Sequence, residues 1–136
     1  MENKLSLVQN WFRKAESDLR NVEIIFRSAE EDKPFDTVCF HCQQAVEKYL
    51  KGFLVFLDMK VIKTHNIEVL IDLISAKYPD VEIFESAVIL TNYAIESRYP
   101  DDFVEIAEEE AKEAYEIALR IKSFVINKLN ELPNLH

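Results

Sequence analysis

The stretch CFHCQQAVEKYLKGFL, residues 39 to 54, decides the fold. At about 100° per residue, Cys42, Val46, Tyr49 and Phe53 gather on one side of a helix, and His41, Gln44, Lys48 and Lys51 on another. Val38, Leu50, Leu54 and Leu57 continue the apolar series, so the helix begins near Phe35 or Asp36, with Asp36 as its N-cap, and lasts until the pattern breaks over 58–63. Ala45 and Gly52 lie beside the polar stripe. Two such small residues leave room for another helix to come close.

Outward from this segment, the spacing of Leu5, Val8, Phe12, Ala15, Leu19, Val22, Ile25, Phe26 and Ala29 predicts a first amphipathic helix of roughly six turns, ended by EEDKP at 30–34. Thr64 is placed to cap a short third helix carrying Ile67, Leu70, Ile71 and Ile74, which YPD at 78–80 closes. A fourth helix is predicted over 82–96 from Phe84, Ala87, Val88, Thr91, Ala94 and Ile95, interrupted by SRYPDD because Pro100 removes a donor and pushes Tyr99 out of helical geometry. A fifth runs over 102–130, its seam formed by Phe103, Ile106, Ala107, Ala111, Ala114, Ala118, Ile121, Val125 and Leu129. Acids fill its first half and Arg120, Lys122 and Lys128 its end, as the helix dipole favours. Short connections between long helices make neighbours antiparallel. The expected fold class is all-α: one domain over 1–136, an up-and-down helical bundle of four long helices plus one short helix.

Composition agrees. The 136 residues include one glycine and four prolines, where average usage would give about ten and seven, which argues against a hairpin-rich β-protein. The formal charge is −9, of which −7 lies between Asp101 and Glu116. Such a field disfavours duplex DNA, although Lys48, Lys51, Lys60 and Lys63 form a local basic group. The opening residues lack a signal-peptide core and no run is long enough to span a membrane, so a cytoplasmic protein with no membrane partner is expected. Cys39 and Cys42 are too few for a disulfide framework, and with histidines only at 41, 65 and 136 they cannot complete a zinc site; buried structural thiols are expected. No phosphate-cradling glycine loop, GxSxG or HExxH occurs, and no Glu-x-x-His motif of the di-iron kind, so neither cofactor nor metal is expected. The acid run is most simply a solvated face.

The candidate binding residues are therefore few. His41, Gln44, Lys48 and Lys51 either hold an anion or form an ordinary solvated helix face. His65, just after Lys63 and Thr64 at the expected start of the third helix, either packs there or approaches a phosphate held by that helix's N–H groups. Arg98 either grips phosphate or ties its loop to Asp101 or Asp102.

WFRKAESDLRNVEIIF, FDTVCFHCQQAVEKYLKGFL, KTHNIEVLIDL and YAIESRYPD together resemble the HEPN domain family of prokaryotic helical proteins, over roughly residues 11 to 130. HCQQAVEKYLK is the specific part. The resemblance implies a bundle of the kind derived above, usually a homodimer, often paired with a small nucleotidyltransferase and proposed to bind nucleotides or to act as the toxin of a toxin–antitoxin pair. Catalytic members are metal-independent ribonucleases using an arginine, four to six intervening residues, and a histidine. Arg98 matches the arginine, but Phe103, Val104 and Glu105 occupy the histidine positions, so the motif is broken. Two leading readings follow, with a third beside them. One is a dimeric module that binds a nucleotide or RNA phosphate through His41, Gln44, Lys48, Lys51, Lys63, His65 and Arg98. The other is a ribonuclease toxin with a displaced pair such as Arg98 and His65. A third makes the polar stripe a dimer seam. Apolar side chains beyond one stripe, among them Val55, Tyr93 and Tyr99, also point to a homodimer.

Overall fold

The computed structural model describes residues 3–79, 82–93 and 105–131. In chain order it contains α1 (Lys4–Arg27), α2 (Phe35–Phe56), α3 (Ile67–Ser75), a 3-10 helix (Glu82–Tyr93) and α4 (Glu108–Glu131), with no strand among the described residues. The end of the expected fourth helix, the SRYPDD break with Arg98 and Tyr99, and positions 102–104 of the expected fifth helix lie outside the described residues. No helix among the described residues is long and apolar enough to cross a membrane.

The helix ends follow from local chemistry. Asn3 caps α1, its side chain accepting from the Ser6 N–H at 2.8 Å, and Lys33 returns across the next connection to donate to the Phe26 carbonyl at 2.9 Å. Pro34, not Asp36, holds the N-cap position of α2. Proline's fixed φ suits a helix start and the Pro34 carbonyl accepts the first bond, from Val38, while Asp36 sits in the first turn and accepts from the Thr37 N–H. The other end of α2 closes through paired bonds, Asp58 N–H to the Val55 carbonyl and Met59 N–H to the Leu54 carbonyl, and this places Asp58 in the left-handed region at φ 62°. The cap of α3 is Asn66 rather than Thr64. The Thr64 hydroxyl instead accepts from the Asn66 N–H, two residues too early to cap.

The fourth segment departs most from expectation, winding as a 3-10 helix with three residues per turn. That period places Ala87, Leu90 and Tyr93 in line, and all three are buried. Tyr93 therefore faces this chain's own core, its hydroxyl donating to Glu110. Val55 is likewise half-buried against the core, so neither residue supports an argument for a second copy. The last helix begins at Glu108, where three consecutive glutamates meet the positive end of the dipole and the Ala107 carbonyl accepts the first bond. Ile106 is buried ahead of it, in non-helical backbone.

The core surrounds α2. Fourteen of its 22 residues are buried, against five of 24 in α1, so α2 is the central element and the other helices are its wrapping. Tyr49, Phe53, Phe56, Leu50 and Leu54 are fully buried, each worth roughly 1.5–3 kcal/mol of apolar burial. Cys39 and Cys42 are both free and buried, and burial, with the nearby Cys39 and Asp18, pushes the Cys42 thiol far up, which makes it inert at neutral pH. The Tyr49 hydroxyl donates to Glu16, which also pairs with Lys122 at 2.7 Å, so one contact set joins α2, α1 and α4.

The close approach expected at the small residues of α2 occurs at Gly52. A Cβ there would stand 2.6 Å from Phe12 Cε1 and 3.2 Å from Trp11 Cβ, and the Phe12 ring is held against Tyr49 at 5.3 Å between centroids. Alanine would gain about 1 kcal/mol of helix propensity but force apart packed rings at about 1–3 kcal/mol. Gly52→Ala should be destabilising by about 1 kcal/mol in urea denaturation; a gain would show that Phe12 yields freely.

Of the four tyrosines among the described residues, three are held protonated beyond the ordinary range. Burial is the largest cause in each, joined by hydrogen bonds to Glu16, Glu110 and Glu23 respectively. A phenol whose folded pKa is raised contributes stability that is complete below its unfolded value of about 10 and is lost as pH rises beyond it. Alkaline titration should therefore show tyrosinate absorbance from Tyr49, Tyr93 and Tyr115 appearing together with the loss of helical circular dichroism. Smooth ionisation of all five tyrosines before unfolding would contradict it.

Candidate functional site

Four polar or charged side chains are buried among the described residues, Asp18, Gln43, Glu47 and Lys51. They organise the site. Asp18 lies on the inward stripe of α1, between Ala15 and Val22, and its carboxylate accepts from two residues of α2, His41 Nδ1 at 2.8 Å and Lys48 Nζ at 2.6 Å. Glu47 is the counterpart on α2 itself. It accepts from Lys51 Nζ at 3.0 Å, Gln43 Nε2 at 3.2 Å and His65 Nδ1 at 2.8 Å. Gln43 Nε2 also donates to the His65 carbonyl at 3.2 Å, and Gln43 Oε1 accepts from Gln44 Nε2 at 2.7 Å.

The candidate residues thus divide between two carboxylates. His41 and Lys48 belong to Asp18. Lys51 and His65 belong to Glu47, with Gln44 joined through Gln43. Lys51 is not on a solvated face; it is buried, with Nζ 5.6 Å from the centroid of the Trp11 ring. Lys63 is exposed and has no ion pair among the described residues. Arg98 lies outside the described residues.

Each carboxylate cancels one ammonium, which leaves both histidines to set the charge of the cluster. With neutral rings the two sets sum to zero, and protonation adds one positive charge at each. A protonated imidazole donates from both ring nitrogens, and the side chain of His65 is 55% exposed against 22% for His41. The outward imidazole is therefore at His65.

At the start of α3, two of the N–H groups that the sequence offered to a phosphate already have partners. The Ile67 N–H donates to Thr91 Oγ1 at 3.0 Å and the Val69 N–H to Asn66 Oδ1 at 3.3 Å, so the chain supplies its own acceptors there. Asp18, Gln43 and Glu47 were missed by reading the sequence as stripes. The available signal was an acid at 18 within the apolar series 15, 19, 22, and an acid at 47 beside Val46.

The model of the HEPN domain matches residues 8–129. The chain belongs to the HEPN domain family. Among solved structures, this HEPN chain is similar to the crystal structure of an archaeal HEPN homologue, at 28% identity and a TM-score of 0.69, over 95% of this chain and 99% of that one. It is also similar to the crystal structure of a Thermus thermophilus protein, at 29% identity and a TM-score of 0.68, over 90% and 98% respectively. No curated protein matches the chain significantly.

The buried Glu47 and Lys51 pair supplies a test of the site's architecture. Removing one partner of a buried pair strands the other at a cost of about 3–5 kcal/mol, whereas replacing both with apolar residues of similar volume is often close to neutral. Glu47→Leu should lose stability on that scale in urea denaturation, and Glu47→Leu combined with Lys51→Met should recover most of it. Equal losses in the single and double variants would refute the pairing.

Proposed function

We propose that this HEPN chain is a dimeric binding subunit that holds the phosphate of a nucleotide or of RNA and works beside a small nucleotidyltransferase, as half of a toxin–antitoxin-like pair. The observation that carries the binding part is the sharing of Asp18 and Glu47. Lys48 and Lys51 already face carboxylates, so an incoming phosphate meets exposed Lys63 and outward His65 first, with His41, Gln44, Lys48 and Lys51 setting the field behind them. Arg98 is a further candidate contact. Because the whole chain carries −9, binding rests on such local contacts and is sensitive to salt. The dimer and the nucleotidyltransferase partner are supported by the family resemblance.

Anisotropy of a labelled, short, single-stranded RNA tests the site. Lys63→Ala and His65→Ala should each weaken binding about tenfold, as loss of a charged hydrogen bond does, and Lys63→Ala should flatten the salt dependence by about 0.7 in logarithmic slope. Unchanged affinity in both would place the site elsewhere. Light scattering at twice the chain mass, and co-purification with a small nucleotidyltransferase encoded alongside, test the assembly.

One contact favours a second reading, a metal-independent ribonuclease pairing Arg98 with His65. Glu47 holds His65 by Nδ1, the orientation a general base requires. Cleavage also needs a group to protonate the leaving oxygen, and arginine is too basic to exchange protons. The expected result for purified protein with fluorogenic RNA and EDTA is no cleavage. Robust cleavage that disappears in both Arg98→Ala and His65→Ala would establish the enzyme instead.

A further inference from the structure

The chain has one tryptophan, and its ring is not part of the core. Trp11 lies half-buried on α1 beside Phe12, which does pack inward. Its Cβ is seated at the close approach to Gly52, where a glycine Cβ would stand 3.2 Å away, so the indole is anchored at its base. Lys51 Nζ is 5.6 Å and Lys14 Nζ 6.0 Å from the ring centroid. Among the described residues the indole N–H meets no acceptor, and none of their buried side-chain nitrogens lacks a partner, so this N–H opens outward. Lys51 then connects the ring to the site, through Glu47 at 3.0 Å and from Glu47 to His65 at 2.8 Å.

We infer that Trp11 is a stacking platform for a nucleobase of single-stranded RNA, an inference that rests on the phosphate-binding reading above and adds the base to it. The surroundings select the ligand class by exclusion. The exposed ammonium of Lys14 at the ring repels a cationic ligand, whereas that of Lys51 is already buried against Glu47. A purely apolar ligand would have to desolvate Lys14 without return. A simple anion gains nothing from a flat aromatic surface. A base attached to a phosphate suits every part, since the exposed Lys14 swings aside for the base and its ammonium attracts the backbone, while the indole N–H finds an acceptor on ribose or phosphate. Stacking on an aromatic ring accepts any base, so the preference is for unpaired strands rather than for a sequence.

As the sole tryptophan, Trp11 reports its own contact. An unlabelled single-stranded oligoribonucleotide is titrated into the full chain while tryptophan fluorescence is followed, anisotropy of the labelled strand gives affinity independently, and ribose 5-phosphate serves as the base-free probe. The expected result is quenching that saturates with the anisotropy, no quenching by ribose 5-phosphate, a loss of affinity of about 5- to 100-fold in Trp11→Ala, and a loss under about threefold in Trp11→Phe. Should Trp11→Ala fail to fold, quenching of the native chain and the affinity of Trp11→Phe still decide. RNA binding by anisotropy with no quenching and with unchanged affinity in Trp11→Ala overturns the platform and leaves the phosphate reading standing. Absence of RNA binding by both measurements overturns both.

Discussion

A helix buried at 14 of 22 positions cannot keep its polar residues on a solvated side, and this constraint on α2 governs the structure around it. The apolar majority of α2 calls for α1, α3, α4 and the 3-10 helix as cover. The polar minority, caught beneath the same cover, must be satisfied internally because an unpaired buried charge is costly whereas buried apolar surface is favourable. Lys51, Gln43 and His65 all donate to Glu47 there. Asp18 performs the same service from α1 for His41 and Lys48. Packing and site are thus the same set of contacts seen from two sides.

Such arrangements do not arise for stability alone. A buried ion pair is commonly no better for stability than apolar residues of equal volume, so the four polar groups buried among the described residues add little to stability beyond satisfying one another.

Much of the fold was legible because the 3.6-residue period is strong in α1, α2, α3 and α4. Ile67, Leu70, Ile71 and Ile74 are buried as their spacing required. The fourth segment escaped because an α-helical period places Tyr93 outside, whereas three residues per turn brings it in line with Ala87 and Leu90. Two caps were each misplaced by two residues, since Asp36 and Thr64 are competent capping residues near positions that Pro34 and Asn66 take instead. For the site, helical periodicity brought His41 and Lys48 together correctly but could not show that Lys51 is roofed by Trp11, because that depends on where α1 crosses at Gly52. The pairing of His65 with Glu47 joins different elements and is invisible to any single-helix pattern.

The contacts of Asp18 also bear on how the chain folds. They join residues 23 and 30 apart in sequence, and the Tyr49 to Glu16 contact spans 33, whereas the Tyr115 to Glu23 contact that brings α4 onto α1 spans 92. Loop-closure entropy grows with the length enclosed, so the antiparallel hairpin of α1 and α2 is the cheapest tertiary unit to form and the natural folding nucleus. Its buried carboxylates would then be matched before α4 arrives. A nucleus stapled in this way has its helix register set early, leaving the late-docking α4 a single surface to recognise.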